Sequence, residues 1–329
     1  MRRLHFVSCC GFYFAVNRAT TKNHRRDSSP ACYNRRSFEP DRGRPWDHGE
    51  PMTTLRYKLR FWGARGTVPT PSADKLVFGG NTSCLSVAIS DREHIILDCG
   101  TGVRLLGNSL AQHTSDVPAR YHIFLTHYHF DHVEGLPLFQ PLYDPNSRIT
   151  IHGFETGGQS VQEILESLIR PPYFPVSLAA VPSQVDYVAV DYKPRVIAGV
   201  TVGALWLNHP DGCLSFRLDS GDRRIVYATD HEHGVEETDR ALVEFSRDAD
   251  YLIYDTTYMR AEYEAMRRGW GHSTWYAAVQ MATAAKVKNL ILFHHHPEHT
   301  DDELRELLRV TSDEFPSTEV AREGLELPL

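Results

Sequence analysis

The sequence has no apolar run that approaches the ~20 residues that a helix needs to cross a bilayer, although 41% of its 329 residues are hydrophobic. Its six cysteines form neither a Cys-x-x-Cys pair nor the dense framework of a disulfide-rich secreted protein. We therefore expect a soluble, cytoplasmic protein with a sizeable core and no membrane partner. Cys84, Cys99 and Cys213 are expected to be small buried hydrophobic residues.

Positive charge is scarce outside the amino-terminal segment. Residues 1–51 contain ten Lys or Arg against five Asp or Glu, whereas the remainder contains 25 against 37. The net negative charge of the residues after 51 argues against extensive electrostatic binding of nucleic acid, although it is compatible with a local basic patch. We therefore predict that a large nucleic acid is not the partner.

The first 51 residues differ from the rest in composition. They are polar, rich in Arg and interrupted by four prolines, so we predict a disordered extension over 1–51 and a catalytic domain over 52–329. The basic start and the mixed stretch at 4–16 also allow a signal peptide, but no convincing small-residue cleavage site follows it. Met52, which directly precedes a strand-like run, is an alternative start of the protein.

From residue 55 onwards, short β-type runs alternate with helical segments. Two β-rich halves, each ending with helices, predict an α/β fold with four layers in the order α/β/β/α. Strands are predicted at 55–62, 84–90, 94–98, 121–125, 148–152, 185–190, 196–207, 213–218, 223–228, 251–254 and 289–293. Helices are predicted at 103–110, 161–169, 236–247, 273–286 and 301–310.

Four potential metal ligands lie within six residues, directly after the apolar run 121–125. They are His127, His129, Asp131 and His132. A strand that ends in a tight turn can direct such side chains at one point, and imidazole and carboxylate groups suit zinc as well as iron or manganese. A polar surface loop does not require this spacing, so the sequence predicts a metal site.

Three further polar residues, His209, Asp230 and His294, follow predicted strands. Each alone is typical of a turn at the end of a strand, and the three consecutive histidines that begin at His294 are also compatible with a solvated turn. Together with the first cluster, they provide the additional ligands that a site with two metal ions requires.

With these residues in place, the chain resembles the metallo-β-lactamase-fold superfamily, and within it the ribonuclease Z-like phosphodiesterase branch. The resemblance covers roughly residues 55–308. It is carried by Gly63-Ala-Arg-Gly-Thr-Val-Pro-Thr-Pro, Gly79-Gly-Asn-Thr-Ser-Cys, Asp98-Cys-Gly-Thr-Gly, Thr126-His-Tyr-His-Phe-Asp-His, Tyr227-Ala-Thr-Asp, Gly269-Trp-Gly-His-Ser-Thr and Leu292-Phe-His.

The resemblance implies two divalent metal ions, with zinc expected first and manganese or iron as alternatives. One ion is expected at His127, His129 and His209, the other at Asp131, His132 and His294, and Asp230 is expected to bridge them. Two such ions lower the pKa of a bridging water and stabilise charge on a phosphoryl group. Of the three consecutive histidines, only the first is expected to be a ligand.

Further site residues are assigned with the same resemblance in view. His272 is the expected general acid, although it could also be a mere neighbour of a helix N-cap. Asp255 is expected to fix the tautomer of His272, and Asp98 to orient a ligand imidazole. Asp131 is expected to serve catalysis as well as metal binding. The turn that contains Asn81 could offer backbone amides to a phosphate, or could be an ordinary tight turn.

The fold alone does not decide the reaction. Zinc β-lactamases carry Cys where Asp230 stands, and glyoxalase II-type enzymes lack a segment like Gly-His-Ser-Thr at 271–274. Ribonuclease Z itself has a long basic arm, whereas residues 153–182 here contain one Arg and no Lys. The sequence therefore favours hydrolysis of a small phosphodiester, first of all a 3′,5′-cyclic nucleotide. The alternatives are transfer RNA 3′ processing and a non-catalytic metal-bearing sensor.

The short aromatic hook at Tyr173 and Phe174 has three interpretations. Its rings could stack on a nucleobase of the substrate, contact a second copy of the chain, or simply pack against the domain. Ribonuclease Z-like proteins are often dimers, and this resemblance is the only ground for expecting a homodimer.

Overall fold

The computed structural model describes residues 7–9, 12–14, 57–111, 117–191, 193–221 and 223–329. The chain divides into a unit over 1–55 and a unit over 56–329. In the first unit, β1 (Val7–Cys9) pairs antiparallel with β2 (Phe12–Phe14). The predicted disorder, the signal peptide and the alternative start at Met52 otherwise lie outside the described residues and stay predictions.

The second unit contains two seven-stranded sheets. The first sheet consists of β3 (Lys58–Gly63), β4 (Cys84–Ser90), β5 (Glu93–Leu97), β6 (Ala119–Phe124), β7 (Ser147–Gly153), β8 (Gln184–Ala189) and β16 (Glu326–Pro328). Its order is β16-β3-β4-β5-β6-β7-β8. The strands from β5 to β8 are parallel neighbours, and the others pair antiparallel.

The second sheet repeats this mixed pattern. It consists of β9 (Arg195–Ile197), β10 (Val200–Leu207), β11 (Cys213–Ser220), β12 (Arg223–Ala228), β13 (Tyr251–Asp255), β14 (Asn289–Phe293) and β15 (Thr318–Val320), with sheet order β15-β14-β13-β12-β11-β10-β9. The strand predicted at 196–207 is in fact two strands, because Ala198 and Gly199 adopt positive φ angles of 47° and 88° and reverse the chain.

Seven α-helices lie in the part of the chain that the structure describes. They are α1 (Val103–Leu110), α2 (Phe130–Val133), α3 (Val161–Leu168), α4 (Glu236–Phe245), α5 (Arg260–Glu262), α6 (Trp275–Ala285) and α7 (Asp301–Glu314). Helices α1 and α3 contact the first sheet, whereas α4, α6 and α7 contact the second. The predicted four-layer α/β/β/α arrangement is therefore confirmed.

Three apolar cores separate these layers. The central core lies between the sheets, where Phe61 and Phe293 approach with ring centroids 6.0 Å apart. Each outer core lies between a sheet and its helices. Cys84, Cys99 and Cys213 are buried and unpaired, as predicted, and burial raises the pKa of each thiol. Across the described residues, the helices are too short or too polar to span a membrane.

The fold brings the chemically active residues to one edge. Parallel strands place their carboxyl ends at the same edge of a sheet, and the residues that follow them converge there. In the first sheet, β5 and β6 end at this edge; in the second, β12, β13 and β14 do. The candidate ligands lie directly after these strands and after β10.

Candidate active site

One group of three histidines comes from both sheets. His127 and His129 follow β6, and His209 follows β10. The Nδ1 atom of His129 lies 3.1 Å from Nε2 of His209, and potential ligand atoms of all three residues lie within 4.8 Å of one another. His209 donates from Nδ1 to the carbonyl oxygen of Gly271 over 2.8 Å, which leaves its Nε2 lone pair directed at the group.

A second group contains Asp131, His132 and His294, all buried. The Oδ2 atom of Asp131 lies 3.3 Å from Nε2 of His132 and 3.1 Å from Nε2 of His294. The same oxygen accepts a hydrogen bond of 2.7 Å from the backbone amide of Thr67, which holds the carboxylate in place. This contact was not foreseen from the sequence, where Thr67 is one of several small polar residues in a loop.

Asp230 lies between the two groups. Its Oδ1 atom is 3.7 Å from Nε2 of His127, and its Oδ2 atom is 3.2 Å from Nε2 of His132. Burial alone would raise the pKa of this carboxyl, but the facing imidazoles of His294 and His132 hold its pKa well below the ordinary value. The side chain is therefore an anion that faces both groups at once.

The donor set fits divalent cations. The Nε2 atom of His127 is buried and has no hydrogen-bond partner in the protein, which is costly unless another group occupies its lone pair. Burial, together with the neighbouring histidines, lowers the pKa of His127 well below its ordinary value, so the ring is neutral and able to coordinate. The seven predicted ligand residues are thus brought together as two sets that share Asp230.

Buried partners hold the ligand rings from behind. His132 donates from Nδ1 to Asp98 Oδ2 over 2.8 Å, and Tyr227 donates its hydroxyl to the same oxygen over 2.9 Å. His294 is held in the same way, with Nδ1 at 2.9 Å from the hydroxyl of Thr257. Such contacts fix both the tautomer and the orientation of a ligand imidazole. The structure therefore places Asp98 where the sequence predicted it.

Three of the predicted site residues have left-handed backbone conformations, and so does Thr67, with a φ of 66°. The φ angles of Asp98, Asp230 and His294 are 59°, 53° and 61°. Residues other than glycine adopt this region rarely, and such conformations cluster at functional sites. Each of the three predicted residues follows the end of a strand, where the left-handed turn sends the side chain towards the shared edge.

Two glycines permit the close packing of the ligands. A Cβ atom at Gly66 would lie 2.2 Å from Cε1 of His294, which is far inside contact distance. A Cβ atom at Gly271 would lie 2.4 Å from Nδ1 of His209, and Gly271 also has a φ of +84°. Both positions therefore require glycine if the imidazoles are to keep their places.

His272 and Asp255 form a second functional pair. His272 donates from Nδ1 to Asp255 Oδ2 over 2.8 Å, and Asp255 is fully buried. Burial acts to lower the pKa of His272, but the charges of Asp255 and Asp230 outweigh it and raise that pKa to about 9. Bound cations would act in the opposite direction. The predicted contact between Asp255 and His272 is therefore present, and the role of the pair in proton transfer stays a prediction.

The metal-ligand groups open into a cavity of about 350 Å³. The cavity is lined by Thr67, Tyr128, His129, Phe130, Asp131, Asp230, His272 and His294. Tyr173 does not line it, but lines a neighbouring cavity together with Phe130.

Asn81 is not brought to this cavity. Its side-chain amide and its backbone amide donate to Oε1 of Glu323 over 3.0 and 2.9 Å. The backbone amide of the following Thr82 donates to the hydroxyl of Thr101. These donors stabilise contacts between loops and are not free for a phosphate, so the ordinary tight turn is the interpretation that the structure supports.

A buried glutamate that the sequence did not single out supports the segment that carries His272. Glu232 accepts hydrogen bonds from the backbone amides of Gly269 and Gly271 over 2.6 and 2.8 Å, and from the hydroxyl of Tyr263 over 3.0 Å. The only feature of the sequence that could have pointed to Glu232 is the run of four titratable residues at 230–233. Glu232 thus positions Gly271, and through it both His272 and His209.

The remaining two histidines of the triplet lie outside the ligand groups, as expected. His295 is buried and donates from Nε2 to the carbonyl oxygen of Ala321 over 2.8 Å. Burial and the nearby Arg65 lower the pKa of His295 to about 3, so the ring is neutral. His296 is half-buried and lies beside the rings of Tyr258 and His299.

Comparison with known proteins agrees with this geometry. The model of the β-lactamase superfamily domain matches residues 93–295, which is more than half of the chain. The chain belongs to the β-lactamase superfamily. Together with its ribonuclease Z relatives and the fold of its structural neighbours, this makes it a metal-dependent hydrolase with the metallo-β-lactamase fold.

Individual relatives within the superfamily are distant. Ribonuclease Z of Acaryochloris marina is 29% identical over 321 residues, which cover 82% of this chain and 96% of the relative. A diphosphatase of the PhnP family has a TM-score of 0.62 at 18% identity, covering 83% of this chain and 98% of its own. Human tRNase Z, short form, has a TM-score of 0.58 at 19% identity, with coverages of 82% and 98%. The two solved structures show a common fold.

Proposed function

We propose that this protein is a phosphodiesterase with two divalent metal ions, and that it acts in the manner of a ribonuclease Z on the 3′ end of precursor transfer RNA. The observation that carries the proposal is the convergence of seven candidate ligand side chains and the His272–Asp255 pair at one edge of the two sheets, beside a cavity that four of these candidates and His272 line. Ribonuclease Z relatives that align over most of this chain favour RNA over the cyclic nucleotide that the sequence suggested first.

The metal-binding roles follow the two groups of side chains. His127, His129 and His209 would hold one ion, and Asp131, His132 and His294 the other, with Asp230 facing both. Zinc suits this set of imidazoles and carboxylates, and manganese or iron are alternatives. When bound, such ions supply an activated water and neutralise the charge that develops on a phosphoryl group.

The protein itself supplies orientation and a proton. Thr67 and Asp98 fix the donor atoms of Asp131 and His132, so the ligands need little rearrangement on binding. Asp255 occupies Nδ1 of His272, which leaves Nε2 as the atom that can give its proton to the leaving oxygen. The pair would then regain a proton from solvent through the open cavity.

A small phosphodiester is the second candidate, and one observation favours it. The alignment with the Acaryochloris marina enzyme has 321 positions, but it includes only 82% of this 329-residue chain, which is about 270 residues. About 50 residues of that enzyme therefore have no counterpart in this chain. The segment 153–182 holds one Arg and no Lys, which gives RNA phosphates little to bind.

The experiment that tests the proposal compares both substrate classes. The full chain, loaded with zinc or manganese, is assayed on a precursor transfer RNA with a 3′ trailer and on a panel of 3′,5′-cyclic nucleotides. Metal-dependent release of the trailer, lost in His129→Ala, supports RNA processing. Ring opening of cyclic nucleotides with intact RNA would replace the first candidate by the second. Activity on neither would contradict both.

A further inference from the structure

A second cavity adjoins the one above the metal-ligand groups. Its volume is about 180 Å³, and Phe130 lines both cavities. Its other lining residues are Val133, Glu134, Pro137, Leu165, Leu168, Ile169, Tyr173 and Phe174. We call it the aromatic cavity, because exposed aromatic rings stand at its mouth. The shared residue makes the two cavities neighbours.

The two rings at the mouth are unusually open to solvent. Phe130 is 68% exposed and Tyr173 is 75% exposed. Exposed rings contribute little to folding, and neighbouring apolar groups at the surface are typical of binding sites. Phe130 also lies between the candidate ligands His129 and Asp131, so its backbone has a fixed position relative to them.

The loop that carries Tyr173 is held in place by the body of the domain. The backbone amides of Tyr173 and Phe174 donate to the carbonyl oxygen of Arg170 over 2.9 and 3.0 Å. Phe174 packs against the outer core beneath the first sheet. The ring of Tyr173 is therefore presented outwards from an anchored turn, which lowers the entropy lost when a ligand binds it.

The walls of the aromatic cavity suit a flat heteroaromatic ring. Leu165, Leu168 and Ile169 provide an apolar wall, and Glu134 is its one carboxylate. Glu134 is half-buried and accepts a hydrogen bond from the hydroxyl of Thr82 over 3.3 Å, which leaves its other oxygen available. Apolar walls with few polar groups are typical of small-molecule sites, and ~300 Å³ is the lower limit for drug-sized ligands. The aromatic cavity is smaller and fits a single ring system.

We propose that the aromatic cavity is a nucleobase subsite. The base of a nucleotide next to the scissile phosphate stacks on Phe130 and Tyr173 while its phosphate lies at the metal-ligand groups. This inference rests on the proposed phosphodiesterase function and deepens it, since it makes a nucleoside a determinant of specificity. Stacking on aromatic rings tolerates every base, so the subsite selects for a nucleoside and not for one sequence.

The test compares two diesters with the same leaving group. Thymidine 5′-(p-nitrophenyl phosphate) carries a base, whereas methyl p-nitrophenyl phosphate does not. The metal-loaded full chain is expected to prefer the nucleoside diester by about fivefold or more in kcat/KM, the size of effect that stacking of one base supplies. Tyr173→Ala should bring this ratio close to one, whereas Tyr173→Phe should retain it because the ring is kept.

Two further variants separate stacking from general damage. Leu168→Trp should fill the aromatic cavity and remove the preference without deleting either ring at its mouth. Val196→Ala, at a 72% exposed position on β9 that lines neither cavity, should keep the wild-type ratio. Bound metal is measured in each variant, so that a loss of ions is not taken for a loss of base recognition.

The results that would overturn the subsite are distinct from those that would overturn the function. If the wild type hydrolyses both diesters with equal kcat/KM, or if Tyr173→Ala keeps the preference, the subsite is wrong and the phosphodiesterase proposal stands. If the metal-loaded wild type hydrolyses neither diester but releases the trailer of a precursor transfer RNA, the subsite is wrong and the phosphodiesterase proposal stands. If it acts on none of these substrates, both proposals fail. If Tyr173→Ala turns a dimer into a monomer in sedimentation, the ring belongs to an interface between copies and the subsite is wrong.

Discussion

At the scale of single residues, the site depends on two glycines that let the backbone lie close to candidate ligand rings, as well as on the candidate ligands themselves. Gly66 leaves room for the ring of His294, and Gly271 leaves room for that of His209. The candidate ligands could be predicted because the cluster at 127–132 has metal-ligand spacing, and because His209, Asp230 and His294 fit the ligand pattern of the family that the chain resembles. That they bind metal stays a prediction. The role of these glycines could not be predicted from the sequence, since only the folded structure shows which ring lies close to each of them.

We expect Gly66→Ala to weaken metal binding without unfolding the protein. The added methyl group would lie 2.2 Å from Cε1 of His294, so this ring must move away from Asp131. Bound metal, measured by elemental analysis after dialysis, should fall below the wild-type content. Gly203→Ala is the matched control, because its Cβ would make only an ordinary contact of 3.6 Å with Phe245. Equal metal content in both variants would contradict this prediction.

We expect His272→Ala to lower kcat by about 10²–10⁴-fold, the range typical of a lost general acid. Bound metal should be unchanged, because His272 is not one of the seven predicted ligands. Its ring nevertheless offers a potential ligand atom within 4.8 Å of those of Asp230 and His294, so a fall in bound metal would instead make His272 a ligand. Asp255→Asn should have a smaller effect of the same kind, since it disturbs the orientation of the ring but leaves the ring present. Wild-type kcat in His272→Ala would remove this residue from the mechanism.

At the scale of secondary-structure elements, buried carboxylates join segments that are distant in sequence. Glu232, which follows β12, holds the loop before α6 through two backbone amides. Asp250, which precedes β13, accepts from the backbone amide of Arg224 over 2.8 Å and from Nζ of Lys288 over 2.9 Å. Each carboxylate therefore links neighbouring parts of the second sheet.

Replacement of Glu232 by Ala should lower kcat more than it raises KM. Without its acceptors, the loop at 269–271 loses the contacts that place His272 and the carbonyl partner of His209. Steady-state kinetics on a chromogenic diester give kcat and KM separately and so check this prediction. Glu306→Ala is the control, because this exposed carboxylate pairs with Arg309 on the surface of α7. Similar kinetics for both variants would show that Glu232 has no positioning role.

We expect the ionisation of Asp250 to make the free energy of unfolding depend on pH. Burial acts to raise the pKa of this carboxyl, but the hydrogen bonds from Lys288 and Arg224 outweigh burial and lower it. The stabilisation is therefore present above the ordinary pKa of ~3.9 and is lost as the pH falls through the lower, folded-state pKa. Asp250→Asn should reduce the free energy of unfolding by about 1–2 kcal/mol at pH 7.

Urea unfolding measured at several pH values checks this prediction. The difference between wild type and Asp250→Asn should shrink as the pH falls from 5 towards 3. Asp302→Asn, at an exposed position in the first turn of α7, should show little difference at any pH. A constant difference for Asp250→Asn would mean that ionisation of this group does not contribute.

Most elements could be predicted from the sequence, because their apolar runs are long enough to show a period. Strand β4 and helix α1 have the predicted bounds. Strands β15 and β16 were missed, since three residues each are too few for any pattern, and their pairing partners lie far away in sequence. The helix α7 extends to Glu314, four residues beyond the prediction, because its last four residues are polar and show no apolar periodicity.

At the scale of the whole domain, the carboxyl terminus completes the first sheet. Strand β16 pairs antiparallel with β3, and Leu327 and Leu329 insert into the core between the sheets. The backbone amide of Leu329 donates to the carbonyl oxygen of Tyr57 over 2.7 Å. The last four residues thus cover the edge of β3, which would otherwise be free to pair with another chain.

Removal of residues 326–329 should therefore destabilise the domain and promote aggregation. Two buried leucines are lost, each worth about 1.5–3 kcal/mol, and the edge of β3 becomes exposed. Thermal unfolding and light scattering measure the two effects. Glu326→Ala keeps the strand and removes only surface ion pairs with Lys58 and Arg60, so it should behave like the wild type. An unchanged midpoint in the truncated chain would contradict this role.

The left-handed backbone at Asp98, Asp230 and His294 also has a consequence for directed evolution. Each costs roughly 1 kcal/mol in a residue that is not glycine, and Asp98, Asp131, Asp230 and Asp255 are buried close together. Glycine or asparagine at position 230 would relieve this strain in the metal-free chain, whereas Asp98 must stay as the acceptor for His132 and Tyr227. A heat selection carried out with a chelator would therefore enrich inactive variants, whereas the same selection with metal present would preserve the catalyst.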